Sequence, residues 1–331
     1  MPASRSRRQA LLALSAWGCG FAAPSLAQGG YPAKPVRILV GVNAGGAADL
    51  FARTFAQKVG EATGGSFVVD NKPGAGGTLA ADAAAKAAPD GYTLVAAAPT
   101  AMIVAPWLYK QLGYAPATDF TPVTVLAGGP LVLVVNAELA AANVAQLVAL
   151  ARAKPGELAF GSGGQGSAGH LTTEMLASMA GFKAVHVPYK GEGQAINDLL
   201  GGQVKLMFTG YNLVEPHVKS GRLRVLAISG KTRLPSLPNV PTVQESMPAL
   251  AGFESLGWIG LFAPARTPPE VTHWLAAKWR DVRQQPDIVA RFEAMGMGML
   301  VTPTPEDFAA LLKSETTRWQ KVIASAGVKP E

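Results

Sequence analysis

Cysteine is almost missing from this chain: Cys19 is the only one in 331 residues. It falls inside an N-terminal stretch that reads as a removable export signal, so the mature protein carries no thiol. Disulfides, thiolate nucleophiles and cysteine-ligated metals are thereby excluded. Charge is sparse as well, at 15 % of residues, and Lys and Arg form no cluster, which argues against nucleic acid as a partner. The four histidines, His170, His186, His217 and His273, show no metal spacing such as H-E-x-x-H, and no cofactor or metal is expected. Unbroken hydrophobic runs are lacking too. The stretches Gly91–Tyr109 and Phe120–Ala137 carry no charge over a membrane-like length, but Pro99 and Pro106 interrupt the first and Pro122, Gly128, Gly129 and Pro130 the second. Strand–loop–helix segments of a buried α/β core are expected in both, rather than a span.

The N-terminus has the three parts of a signal peptide. Arg5, Arg7 and Arg8 give a positive start, Ala10–Ala16 and Phe21–Ala23 an apolar middle, and Ser25-Leu26-Ala27 small residues for cleavage. Residues 1–27 are therefore expected to be removed and the mature protein to be periplasmic. Ser6-Arg7-Arg8 ahead of Leu11-Leu12 also resembles a twin-arginine signal, so both export routes stay open. Ala16-Trp17-Gly18 before Cys19 makes a poor lipobox, which disfavours a lipid anchor. Removing the signal takes away three arginines and no acids, leaving 26 basic and 22 acidic residues. The resulting charge of about +4 mildly favours acidic ligands. Roughly 300 remaining residues exceed one ordinary core, so two lobes are expected.

Short β-rich runs alternate with helical patterns. Val36–Val42 reads as a strand and Ala48–Ala62 as a helix with Leu50, Phe51, Phe55 and Val59 on one face. Strand Phe67–Asp70, helix Leu79–Ala88, strand Tyr92–Ala97 and helix Met102–Leu112 follow. Leu131–Val135 is a buried strand, and Asn143 with Gln146 opens the next helix as a capping box. Strand Glu157–Phe160, helix Ser167–Ala180, strand Ala184–Val187, helix Gln194–Leu200 and strands Val204–Phe208, Arg224–Ser229 and Leu256–Ala263 continue the alternation. Thr267-Pro268-Pro269-Glu270 and Thr304-Pro305-Glu306-Asp307 each predict a capped helix with proline in the first turn, the last stopping at Gly327. This order predicts an α/β fold with mixed sheets covered by helices.

Small residues gather where strands end. Asn43-Ala44-Gly45-Gly46-Ala47-Ala48-Asp49, Pro99-Thr100-Ala101, Gly161–Ser167, Pro188-Tyr189-Lys190-Gly191 and Thr209-Gly210-Tyr211-Asn212 all follow strands. Ligands of open α/β sheets bind outside the carboxyl ends of strands, and helix N-termini there suit a carboxylate. Two enzyme patterns come near without completing. Gly161-Ser162-Gly163-Gly164-Gln165-Gly166 matches G-x-G-x-x-G, but the next strand ends His186-Val187-Pro188-Tyr189-Lys190 with no ribose-binding acid. Gln165-Gly166-Ser167-Ala168-Gly169 approaches a nucleophile elbow with Gln165 where glycine belongs, and Ser167 serves more economically as a helix cap. A serine hydrolase or nicotinamide-dependent enzyme is therefore the weaker alternative, and a non-enzymatic binder is expected.

Taken in order, a set of fragments resembles the Bug family of periplasmic binding proteins, receptors of tripartite tricarboxylate transporters. They are Tyr31-Pro32-Ala33-Lys34-Pro35-Val36-Arg37, Asp70-Asn71-Lys72-Pro73-Gly74-Ala75-Gly76-Gly77 and Ala88-Pro89-Asp90-Gly91-Tyr92-Thr93-Leu94. Leu108-Tyr109, Asp119–Val123, His186–Gly191, Asp198–Gly202, Pro238–Val243 and Phe262–Ala265 complete the series. The resemblance implies a type II periplasmic-binding fold: residues 28–130 with 253–331 as one lobe and 131–252 as the other. It implies a small carboxylate held by the loops matching Asn43–Asp49 and Ser162–His170, partly through water. Delivery to membrane transporter subunits is implied, with a membrane sensor as the other open partner, and the protein is expected to be a monomer.

The site expected from these readings is Asn43, Ala44, Gly45, Gly46, Asp49, Thr100, Ser162, Gly163, Ser167, His170, Tyr189, Thr209 and Tyr211. Ser162, Ser167 and Thr100 would offer hydroxyls and His170 a donor. Tyr189 and Tyr211 would be a wall or lobe packing, and Asp49 a ligand contact or a helix-dipole residue. The family reads Phe-Pro-Pro-Gly-Gly in the first loop, where this chain has Val42-Asn43-Ala44-Gly45-Gly46. Loss of two prolines loosens that loop, and Asn43 adds a donor and an acceptor. Thr209 cannot pair with an ammonium, so a dicarboxylate or aromatic acid without a free amine is expected.

Overall fold

Hydrophobic strands flanked by glycine turns build two five-stranded sheets in the computed structural model, which describes residues 30–297 and 300–326. The expected signal peptide and the helix stop at Gly327 lie outside the described residues. In chain order the strands are β1 (Val36–Val40), β2 (Phe67–Asn71), β3 (Thr93–Ala97), β4 (Phe120–Pro130), β5 (Val132–Asn136), β6 (Ala159–Ser162), β7 (Val185–Pro188), β8 (Leu206–Thr209), β9 (Leu223–Ile228) and β10 (Leu256–Pro264). The helices are α1 (Ala47–Thr63), α2 (Thr78–Ala85), α3 (Ala105–Leu108), α4 (Pro116–Asp119), α5 (Val144–Ala153) and α6 (Ala168–Ala180). After them come α7 (Glu192–Leu200), α8 (Tyr211–Lys219), α9 (Val243–Ser246), α10 (Pro269–Arg283), α11 (Pro286–Ala294) and α12 (Pro305–Ala326). Among the described residues no helix is long and apolar enough to cross a membrane.

The two sheets share one plan. The first runs β2-β1-β3-β10-β4 and the second β7-β6-β8-β5-β9. The leading three strands of each are parallel, and the fourth, β10 or β5, is antiparallel to both neighbours. Central strands such as β5 are buried on every residue, which is why they read as continuous apolar runs. Helices then cover the faces. Phe51 and Phe55 of α1 meet Phe292 and Trp279 edge-on or tilted, so the start and end of the chain share a core.

The chain passes between the sheets twice, through one hydrogen-bonded knot. β4 gives way to β5 at Leu131, whose N–H donates to Ser229 Oγ (2.8 Å) while its carbonyl accepts from Ser229 N (2.9 Å). Ser229 also accepts at its carbonyl from Ser255 N, at 2.9 Å, just before β10. Ser255 Oγ lies 2.6 Å from Thr172 Oγ1 of α6. Beside the knot, Arg318 of α12 and Lys231 both pair with Glu254.

Several expectations are corrected. Residues 120–137 hold two strands, not strand–loop–helix, because Gly128 and Gly129 do not break β4 but let another segment lie on it. Gly128 N–H donates to Met297 O, and Leu300 N–H to Gly128 O, where a side chain would collide. The helix expected over 102–112 is a π turn at 100–104 and the short α3, which stops at extended Tyr109. Thr267 does not cap α10, since its hydroxyl donates to Pro264 O. Asn143, Ser167 and Thr304 do cap their helices, with Asp307 completing the last box.

Candidate functional site

Loops at the carboxyl ends of β1, β2 and β3 face loops from β6, β7 and β8. In the first loop Gly45 has φ +85°, a left-handed backbone that favours glycine, and a Cβ at Gly46 would press on Val42. The loop is braced from behind by Asp49, which is buried. Its carboxylate accepts from Gly45 N (3.0 Å), Arg53 Nε (2.9 Å) and Asn71 Nδ2 (2.9 Å). Burial works against the Asp49 charge, but these hydrogen bonds outweigh it and hold the carboxyl below its usual range. The structure thus places Asp49 as a brace, while Asn43, Ala44 and Gly45 stand exposed at the loop's tip.

The second loop is organised around two histidines. Ser162 Oγ lies 2.6 Å from His186 Nε2 and also bonds to both the N–H and the carbonyl of Gly164. His170 Nδ1 accepts the Gly166 N–H at 3.0 Å, which fixes that nitrogen as unprotonated. The two imidazoles stack with centroids 3.8 Å apart, and Phe160 lies nearly parallel to both, 4.9 Å from His186 and 6.1 Å from His170. Desolvation, with His186 adding to it, lowers His170 to about 3, and desolvation lowers His186 to about 4. Ser167 Oγ caps α6 by accepting from His170 N, while the imidazoles bond to Gly166 N–H and Ser162 Oγ.

The halves meet at Thr100. Its hydroxyl donates to Gly166 O at 3.1 Å, joining the loop after β3 to the loop after β6. Gly166, at φ +71°, lies so close to Leu108 that a side chain there would overlap it. The first loop reaches this contact through its neighbours: Gly41 lies against Gly77, and a methyl on Gly76 would sit 3.0 Å from Thr100 Cγ2.

The remaining expected residues divide. Gly163 and Thr209 belong to the cluster: Thr209 Oγ1 donates to Glu192 Oε2 at 3.0 Å, and a Cβ on Gly163 would lie 3.1 Å from Glu192 Cγ. Tyr189 spends its hydroxyl on Asp198 Oδ2 (2.6 Å), and burial with that carboxylate pushes it up to about 12. Tyr211 is buried in the core around Val132, Ile196 and Leu199. Two features escaped the sequence reading. Glu192 follows directly on Gly191, where the expected loop had been ended one residue early. Gly74–Thr78 follows β2 and obeys the same rule of small residues after strands that marked the other loops. Among the described residues no group of three or more His, Cys, Asp or Glu is placed to hold a metal.

Two lobes of this strand order, with a bridged cleft between strand-end loops, define a periplasmic solute-binding protein. The chain belongs to the tripartite tricarboxylate transporter receptor family, whose model matches residues 51–328. It is 35 % identical to Protein BugT of Bordetella pertussis over 94 % of both chains. Its fold matches R. palustris Rpa4515 with adipate at a TM-score of 0.82 and 34 % identity, covering 91 % of this chain and all of that one. MatC from Rhodopseudomonas palustris with bound malate matches at 0.78 and 30 % identity, over 88 % of this chain and all of that one. Periplasmic binding protein BugD matches at 0.78 and 32 % identity, over 91 % of this chain and all of that one, and the family's receptors are periplasmic.

Proposed function

We propose that the chain is exported and closes two lobes around one small organic carboxylate, which it delivers, without turnover, to the membrane subunits of a tripartite tricarboxylate-type transporter. The lobes are residues 28–130 with 253–331 and residues 131–252, joined through Leu131, Ser229 and Ser255. The observation that carries this reading is the Thr100–Gly166 hydrogen bond, because it draws the strand-end loops of both sheets onto one cleft. Asn43, Ala44, Gly45 and Gly46 supply the first loop's face. Gly163, Ser167 and backbone N–H groups at the start of α6 supply the second, with Ser162 and His170 holding that loop in shape. A dicarboxylate or an aromatic acid is the favoured ligand. Adipate and malate in the two R. palustris proteins support the diacid class.

A thermal-shift screen tests it. Mono- and dicarboxylates, aromatic acids, amino acids and nicotinamides are compared, and a true ligand raises the melting temperature with concentration. The expected hits are carboxylates. A shift with dinucleotides and none with any carboxylate would refute the reading.

A further inference from the structure

Glu192 is a carboxylate inside a cleft that otherwise offers hydroxyls and N–H groups. Half-buried at the start of α7, it lies over the 162–167 loop, touching the space above Gly163. Thr209 satisfies Oε2, and no ion pair reaches either oxygen from any described residue. The charged and titratable groups around it are otherwise occupied or distant. On its own segment Tyr189 is bonded to Asp198 and Lys190 is exposed. From α6 and β7, His170 is occupied by the Gly166 N–H and His186 by Ser162 Oγ. Tyr211 and Glu215 stand on α8, Glu215 paired with Lys219, and Lys72 follows β2 on the opposite lobe. β5, β6 and β8, which pack on α7, carry no ionisable side chain. Two carboxylates side by side in such a place cannot both stay ionised at little cost, because a like charge and desolvation both favour the protonated form.

We propose that Glu192 is the specificity-determining residue of this cleft: a carboxylate bound against the 162–167 loop shares one proton with Glu192, taken from solvent on binding. The idea rests on the carboxylate-binding reading above. No covalent bond changes; the bulk solvent loses one proton, and a neutral carboxyl donates to the ligand's oxygen. Burial already raises Glu192 above the ordinary carboxyl range, against the opposing Thr209 hydroxyl. The cleft would thus select acids whose carboxylate can accept that proton-bearing hydrogen bond, without a cation to neutralise them.

Isothermal titration of the full mature chain tests this with succinate, malate, glutarate, adipate and benzoate, at one pH in phosphate and in Tris. The difference in apparent heat between the buffers counts protons, and close to one proton taken up per ligand is expected at pH 7.5 to 8. Affinity should also fall about tenfold per pH unit over that range, as linkage to one proton requires. Glu192→Gln should remove both the proton uptake and the slope, and a thermal melt verifies that the variant is folded. Carboxylates binding with no proton uptake would overturn the assignment of Glu192 while leaving the carboxylate reading standing. An amino acid bound tenfold tighter than its deaminated partner, with that preference lost in Glu192→Gln, would also overturn it. If none of the five acids binds, the carboxylate reading itself falls and takes the assignment with it.

Discussion

Acid should loosen this protein through the stacked histidines. In the folded chain His170 and His186 are held neutral, at about 3 and about 4, because both rings are desolvated and a proton on either repels the other. In the unfolded chain each titrates near 6.5. The folded values are depressed, so the pair's contribution is complete above pH 6.5 and is lost as the pH falls from there toward the folded values. At pH 5 the proton on unfolded His170 is worth about 2 kcal/mol, and that on His186, whose partly exposed ring is screened by solvent, about 1 kcal/mol, together about 3 kcal/mol. That is a large share of a typical stability of about 5–15 kcal/mol. The structure adds a local consequence. His170 Nδ1 cannot accept the Gly166 N–H once protonated, so the 162–170 loop should release before the sheets do.

Urea midpoints at pH 7.5, 6.5, 5.5 and 5 measure the effect. Three carboxyls raised by burial, Glu174, Glu192 and Glu315, pull the other way, since the folded state takes their protons first. The comparison that isolates the imidazoles is therefore wild type against His186→Phe, which keeps the stack and removes one titrating ring. The variant should lose about 1 kcal/mol less than wild type between pH 7.5 and 5, since the His186 ring is partly exposed. Identical losses in both proteins, or an NMR titration placing either folded histidine near 6.5, would refute the reasoning.

Other perturbations read different parts of the structure. Ser229→Ala removes a hydroxyl that accepts from Leu131 N and donates to Ser255 O at the crossover, and should cost about 2 kcal/mol in urea unfolding. Asp49→Ala leaves the Gly45 N–H without its acceptor and Arg53 with Asn71 Oδ1 in place of an ion pair. Because Arg53 is half-exposed the loss should be about 2 kcal/mol, with ligand affinity by calorimetry down about tenfold as the first loop loosens. The Asp49 contribution is present above the ordinary carboxylate range and disappears as the pH falls through its lowered folded value. Gly166→Ala forces a side chain into a left-handed backbone against Leu108, so small-angle scattering should show a more open molecule, partly reclosed by adding Leu108→Ala.

What the sequence made legible was local or periodic. Parallel strands buried on both faces leave unbroken apolar runs, and caps such as Asn143, Ser167 and Thr304 write their hydrogen bonds within three residues. The hidden features depend on partners far along the chain. Gly128 and Gly129 read as breaks because the reason for them, their contacts with Gly296, Met297 and Leu300, lies about 170 residues away. Thr100 is 66 residues from the carbonyl it binds, and His186 has its stacking partner on another element. Thr209 cannot itself pair with an ammonium, and a strand end considered alone shows nothing beyond that. Glu192 arrives there from the start of α7, 17 residues before Thr209, and the ground for excluding an amine by Thr209 is replaced by a carboxylate whose own charge must be answered.

The shared strand plan ties these details to closure. In each sheet the single antiparallel strand borders a crossing: β5 begins just after the chain leaves the first sheet, and β10 just after it leaves the second. The crossing segments are buried and fully hydrogen-bonded at Leu131, Ser229 and Ser255, which makes that end a poor place to absorb large displacement. The opposite end is held more lightly, by the Thr100 hydroxyl and by the contact of Gly166 with Leu108. A ligand can shift the balance of open and closed forms only by what it adds to one of them. Ligand contacts made at the cleft edge therefore act where the resistance is smallest. The loop that carries Gly166 to the first lobe is the loop that Glu192 lies on and that His170 holds, so protons at that carboxyl and that imidazole act on the lightly held end of the molecule.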